Sequence, residues 1–139
     1  MFDDLRGKNV VVTGAADGLG KVIAEQFIAA GSKVIVIARR ETAWMRKTEK
    51  TQCQLLLSDI RDTDKVRAFL ADLEDAGESV QVLVNNAGVL VERPLIDICD
   101  DDWDQTFDIN LKATFQLCQL FANHMKNNEH CSIINAASF

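Results

Sequence analysis

The stretch Lys8–Gly20, KNVVVTGAADGLG, decides the fold. Lys8 to Thr13 is a short β-branched run, the punctuation that follows is rich in glycine, and Leu19, Ile23, Phe27 and Ile28 then recur at helical spacing as far as Gly31. The unit reads as strand, turn, helix. Because the strand is continuously apolar rather than alternating, it is expected to be covered on both faces, as parallel strands are.

The same unit repeats outward from this stretch. Lys33 to Ala38 (KVIVIA) is a second strand, and the polar segment Arg39–Thr51 after it carries only Trp44 and Met45 as large apolar residues, enough for a short helix. Cys53 to Ser58 is a third strand. Asp62 or Thr63 caps a helix bearing Val66, Phe69, Leu70 and Leu73 that ends near Gly77. Val80 to Val84 is a fourth strand. The carboxylates Asp100, Asp101 and Asp102 then open the longest helix, whose stripe is read as Trp103, Phe107, Leu111, Phe115, Cys118 and Phe121. Ser132 to Ala136 is a fifth strand. Strands alternating with helices imply right-handed crossovers and a doubly wound α/β sheet.

Composition narrows the function. At 139 residues, 47% apolar and 26% charged, the chain has one domain's length and enough apolar content for a core, and no apolar run reaches membrane-spanning length. The net charge of −6 has no basic stripe, which argues against nucleic acid as a partner. The N-terminus resembles neither a signal nor a transit peptide, so the cytoplasm is the expected compartment. Cys53, Cys99, Cys118 and Cys131 form no C-x-x-C pair and are expected as thiols; with His124 and His130 they show no finger spacing, so no metal is expected.

The chemistry concentrates at strand ends. G-x-x-x-G-x-G between a strand and a helix provides a tight turn, close backbone approach and free amides at a helix N-terminus, which suits a pyrophosphate, although an ordinary turn would use glycines too. After the second strand, Arg39 and Arg40 stand where an acidic residue would grip the 2′-hydroxyl of NAD, so NADP is favoured over NAD. The alternative is that they are solvated or pair with Glu41. Asp17, in the glycine loop, repels a phosphate.

Asn85-Asn86-Ala87-Gly88 after the fourth strand completes a set of motifs, T-G-x-x-x-G-x-G at 13 to 20, N-N-A-G, an Asp after strand three and an Asn in the long helix, that resembles the short-chain dehydrogenase/reductase family along the whole chain. The resemblance implies a Rossmann-like sheet of order 3-2-1-4-5 and hydride transfer between NADP or NAD and a carbonyl or secondary alcohol. Gly14, Gly18 and Gly20, with Asp17 and Leu19 between them, match the pyrophosphate loop, and Arg39 matches the ribose end. Asp59, followed by Ile60, matches the aspartate that holds the adenine amino group. Asn86, Ala87 and Gly88, faced by Thr13, match the segment beside the ribose. Asn110 matches the active-site asparagine whose backbone carbonyl holds a relay water, and a mid-helix Asn that bends its helix by local hydrogen bonding is the plainer reading. Ser138 matches the serine that hydrogen-bonds the substrate carbonyl.

The family's acid/base tyrosine, with a lysine four residues later, has no counterpart, because the sequence contains no Tyr and its last residue is Phe139. The expectation is therefore a dinucleotide-binding domain, residues 1–139, incomplete at its C-terminus and lacking a proton-transfer group worth about 10²–10⁴ in rate. Its fifth strand would be an exposed apolar edge and the chain alone is expected to associate. Asn85 through Arg93-Pro94, Asp102-Trp103-Asp104 and Ile133-Ile134-Asn135 resemble the gluconate 5-dehydrogenase and 2-deoxy-D-gluconate 3-dehydrogenase branch, implying a sugar acid as the small-molecule substrate. Family members form dimers or tetramers through the long helix, so Phe115 and Phe121 would face either a partner or the chain's own sheet. The rival reading is a non-catalytic dinucleotide-binding or interaction module.

Overall fold

A computed structural model describes residues 3–137. Five parallel strands, β1 (Asn9–Thr13), β2 (Lys33–Ala38), β3 (Cys53–Leu57), β4 (Val82–Asn85) and β5 (Ser132–Asn135), form one sheet in the order β3-β2-β1-β4-β5. The helices are α1 (Gly18–Ala29), α2 (Ala43–Lys47), α3 (Thr63–Asp75), α4 (Asp100–Phe107) and α5 (Thr114–Met125). The expected doubly wound sheet and its strand order are both present.

Alternation hidden in the apolar runs builds two cores. Val10, Val12, Val34, Val36, Val82 and Val84 face one side, where Ala24 of α1 and Met45 of α2 pack on them. Val11, Ile35, Ile37 and Leu83 face the other, under Val66 and Phe69 of α3 and Leu117 and Phe121 of α5. Each fully buried side chain of this size contributes about 1.5–3 kcal/mol of transfer free energy, so the central strands are apolar throughout because both of their faces are interior.

The helices start where charge and capping chemistry allow. Asp62 accepts from the Lys65 amide (3.1 Å), which caps α3. At α4 the Asp102 carboxylate accepts from the Cys99 amide (3.2 Å) among the three acidic residues of the first turn.

Two expectations are corrected. The fourth strand begins at Val82 rather than Val80, because the Val80 amide donates to His124 Nε2 (3.0 Å), a buried ring whose Nδ1 lies 2.7 Å from Glu74 Oε1, and so stays out of the ladder. The long helix is interrupted by a π-helical segment, Asp108–Ala113, that joins α4 to α5. The stripe read from the sequence divides accordingly. Trp103, Phe107, Leu111 and Phe115 are exposed, whereas Ile109, Ala113, Leu117 and Phe121 are buried on the sheet. A helix that inserts an extra residue into one turn shifts which positions align, so apolar residues four apart mark both faces here. Phe121 therefore packs on the chain's own sheet, while Phe115 points outward.

Candidate functional site

In a doubly wound sheet, ligands bind beyond the carboxyl ends of the strands where the strand order reverses. Here β2 and β3 extend to one side of β1, and β4 and β5 to the other. At that position a groove of about 530 Å³ is lined by the loops that leave β1, β2, β3 and β4.

The β1 loop is held against the β4 tip by a hydroxyl. Thr13 is 1% exposed, and its Oγ1 accepts from the backbone amides of Asn86 and Ala87, both at 3.0 Å. Asn86 Nδ2 donates in return to the Thr13 carbonyl (3.2 Å). Contact this close requires glycine. A Cβ on Gly14 would lie 2.7 Å from Ala87 Cα, and one on Gly20 would lie 2.5 Å from Asn86 Nδ2 and 2.6 Å from the Gly14 carbonyl oxygen. Gly18, at φ +56°, faces open space. The first glycine thus serves both turning and close packing, the second the left-handed turn that leads into α1, and the third close packing alone.

Asp17 occupies the N-cap position of α1 but makes no side-chain cap. The first amides of the helix therefore stay available to a ligand, and the helix dipole places positive potential there. The Asp17 carboxylate instead accepts from Arg40, across the groove mouth. Of the expected alternatives, the pairing with Glu41 is corrected, because Glu41 pairs with Arg46 (3.4 Å) and not with either groove arginine, while both arginines are exposed to solvent.

Asp59 receives three hydrogen bonds from Arg61, two from the guanidinium (3.0 and 2.8 Å) and one from the amide (2.9 Å). The Arg61 hydrogen bonds, with a smaller contribution from the Arg39 charge, hold the Asp59 carboxyl at about 2, against 3.8 for an ordinary aspartate. A carboxylate acidified on folding adds stability above its unfolded pKa and loses it as pH falls through the folded value. The Asp59–Arg61 contribution should therefore be complete above about pH 4 and vanish towards pH 2. A carboxyl NMR titration checks this, with Arg61→Ala expected to return Asp59 to the ordinary range; an unchanged midpoint in the variant would refute the assigned cause.

Of the residues selected from sequence, Gly14, Asp17, Arg39, Asp59, Ile60, Asn86, Ala87 and Gly88 line the groove together. Thr13 and Gly20 lie behind it as packing, and Gly18 and Leu19 belong to the first turn of α1, where Leu19 is 65% exposed. Asn110 sits in the π-helical segment. Its amide does not bond within its own helix, as the plainer reading held; it accepts from the Val89 amide and donates to the Val89 carbonyl, both at 2.8 Å, and so ties the loop after β4 to this segment. Ser138 lies outside the described residues.

Sequence reasoning missed Trp44 and Asn85. The Trp44 indole N–H donates to the carbonyls of Ala15 and Ala16 (3.2 and 3.1 Å), from the far side of the glycine loop, and the only sequence signal was a lone Trp in a polar segment. Asn85 Nδ2 donates to Asn135 Oδ1 (2.8 Å) and links β4 to β5 beside the groove. Among the described residues no group of three or more His, Cys, Asp or Glu is placed to hold a metal, and no helix is long and apolar enough to cross a membrane.

Residues 8–139 match the family model for short chain dehydrogenase. A probable galactose dehydrogenase, GalD, of Rhizobium meliloti (strain 1021) is 32% identical over 99% of this chain and 56% of its own length. An NAD-dependent glycerol dehydrogenase of Listeria innocua is 28% identical over 97% of this chain and 54% of its own. The ligand-free structure of Thermoplasma acidophilum aldohexose dehydrogenase superposes with a TM-score of 0.88 at 31% identity, covering 99% of this chain and 52% of that one. The chain spans little more than half the length of each.

Proposed function

This chain belongs to the short chain dehydrogenase family, and on that premise we propose that it forms the dinucleotide-binding part of an NADP-preferring oxidoreductase acting on a carbonyl or secondary alcohol. The observation that carries the reading is the uncapped N-terminus of α1, opening on a groove whose other walls are Asn86–Gly88, Asp59 and Arg39. These residues fit a dinucleotide. The amides at the start of α1 would face the pyrophosphate, Asn86–Gly88 would run beside a ribose, and Arg39, which makes no ion pair among the described residues, would meet the 2′-phosphate.

Bound nicotinamide would supply or accept the hydride. Asn110 fixes the loop after β4 through Val89 and so sets the groove wall. The π-helical segment around it disturbs regular carbonyl pairing, which supports a backbone carbonyl there accepting from a relay water. Ser138 would hydrogen-bond the substrate carbonyl. No tyrosine is present among the 139 residues, so the proton-transfer step is assigned to none of them. A polyhydroxylated substrate, a sugar or sugar acid, is favoured by similarity to proteins named as galactose, glycerol and aldohexose dehydrogenases.

Two settings accompany this reading. All four cysteines are free, in keeping with the cytoplasm. The exposed Trp103, Phe107, Leu111 and Phe115, with Trp103 and Phe107 stacked at 4.3 Å, form an apolar ridge suited to a second copy of the protein. Sedimentation that shows only monomer at every concentration would remove that copy.

Calorimetric titration with NADP and NAD separately tests the function. Binding of NADP ahead of NAD is expected; no binding of either at millimolar concentration would sink the dinucleotide reading, and a preference for NAD would refute the role given to Arg39.

A further inference from the structure

We propose that Trp44 is a positioning residue for the dinucleotide, whose indole N–H fixes the direction of two loop amides, those of Ala16 and Asp17, toward the pyrophosphate. The inference rests on the dinucleotide reading of the groove. It concerns a side chain of α2 that does not itself line the groove. The carbonyls of the loop are all engaged. That of Gly14 accepts from Asn86 Nδ2 (3.4 Å), those of Ala15 and Ala16 share the Trp44 indole N–H (3.2 and 3.1 Å), and that of Asp17 accepts from the Lys21 amide (3.3 Å). The amides of Ala16 and Asp17, by contrast, donate to no group among the described residues, although both residues line the groove.

Peptide geometry links the two observations. In a trans peptide the carbonyl and the amide of one unit point in opposite directions. The Ala15 carbonyl shares its plane with the Ala16 amide, and the Ala16 carbonyl shares its plane with the Asp17 amide. A donor that holds both carbonyls toward α2 therefore turns both amides away from it, to the side on which a ligand would lie. The stretch needs such a restraint, because it is flanked by Gly14 and Gly18, both at positive φ, and glycine permits the units between them to rotate. Among the described residues Trp44 is the one side chain that bonds these two carbonyls. Its ring is seated on the valine core beneath α1, next to the buried Met45. Orienting the amides before the ligand arrives removes an ordering cost from binding.

Trp44→Phe in the 139-residue chain keeps an aromatic ring on the core and deletes the N–H, whereas Trp44→Ala deletes both. Calorimetric titration should show that phenylalanine weakens NADP and NAD about three- to tenfold, the worth of one hydrogen bond, and by the same factor because the pyrophosphate is common to both. Alanine should weaken them at least as much and lower the thermal midpoint further. A side chain that served packing alone would be replaced by phenylalanine without loss of affinity, and that result would overturn the proposal. Amide NMR of the unaltered chain provides a measurement that needs no variant. NADP should move the Ala16 and Asp17 amide resonances, and resonances that stay fixed while the dinucleotide binds would overturn the proposal as well. If the unaltered chain binds neither dinucleotide, the function reading falls and this inference with it; binding that Trp44→Phe leaves intact defeats this inference alone.

Discussion

Gly14→Ala is expected to abolish measurable dinucleotide binding and to lower the thermal midpoint of the chain by roughly 10 °C or more. Two costs combine. Gly14 has φ +68°, where a Cβ costs about 1–2 kcal/mol, and the new methyl would lie 2.7 Å from Ala87 Cα and 3.0 Å from Ala87 N. Overpacking of that kind costs about 1–3 kcal/mol more when the neighbour cannot yield. Ala87 is poorly placed to yield, because its amide is held by Thr13 Oγ1 and β4 is paired on both sides. If the clash is relieved by moving the glycine loop, the start of α1 moves away from Asn86–Gly88 and the groove loses one wall. Gly77→Ala separates the two costs. Gly77 has φ +73° with nothing within 4 Å, so its substitution carries the backbone penalty alone and lies far from the groove. Equal midpoints for the two variants, or retained binding in Gly14→Ala, would show that the loop does not depend on this close approach.

That contact also shows what could be read from the sequence and what could not. The glycines and the run Asn85–Gly88 were legible because close backbone contact restricts residue type locally, whatever the rest of the chain does. The strands were legible for a similar reason, since a strand buried on both faces has to be apolar throughout. The faces of the long helix were not. Trp103, Phe107, Leu111 and Phe115 lie four apart, as do Ile109, Ala113, Leu117 and Phe121, and only packing through the π-helical segment decides that the second set is interior. The groove's charge pairing was equally hidden. Asp17 with Arg40, and Trp44 of α2 with Ala15 and Ala16, join segments more than twenty residues apart, and their partners depend on how β1 and β2 place those segments. Asp59 with Arg61 lies within one turn, yet a sequence offering Asp62 nearby does not say which carboxylate the arginine takes.

The second large effect comes from a single hydroxyl. Thr13→Val keeps the shape of the side chain and its preference for a strand, but removes the acceptor shared by the Asn86 and Ala87 amides. Each donor stripped of its partner in a half-buried setting costs about 1–3 kcal/mol, so for the two a loss of about 2–6 kcal/mol is expected, with a fall in thermal midpoint of roughly 10 °C or more. Thr13→Ser is the informative companion. It retains the oxygen and deletes one methyl, for about 1 kcal/mol, so a hydrogen-bonding role predicts that serine rescues most of what valine loses. Dinucleotide affinity should follow the same order, because Asn86, Ala87 and Gly88 form the groove wall that this oxygen positions. Parallel melting curves and titrations of the two variants decide the matter. Were serine as damaging as valine, the methyl packed in the sheet, and not the oxygen, would be what holds β1 to the β4 tip.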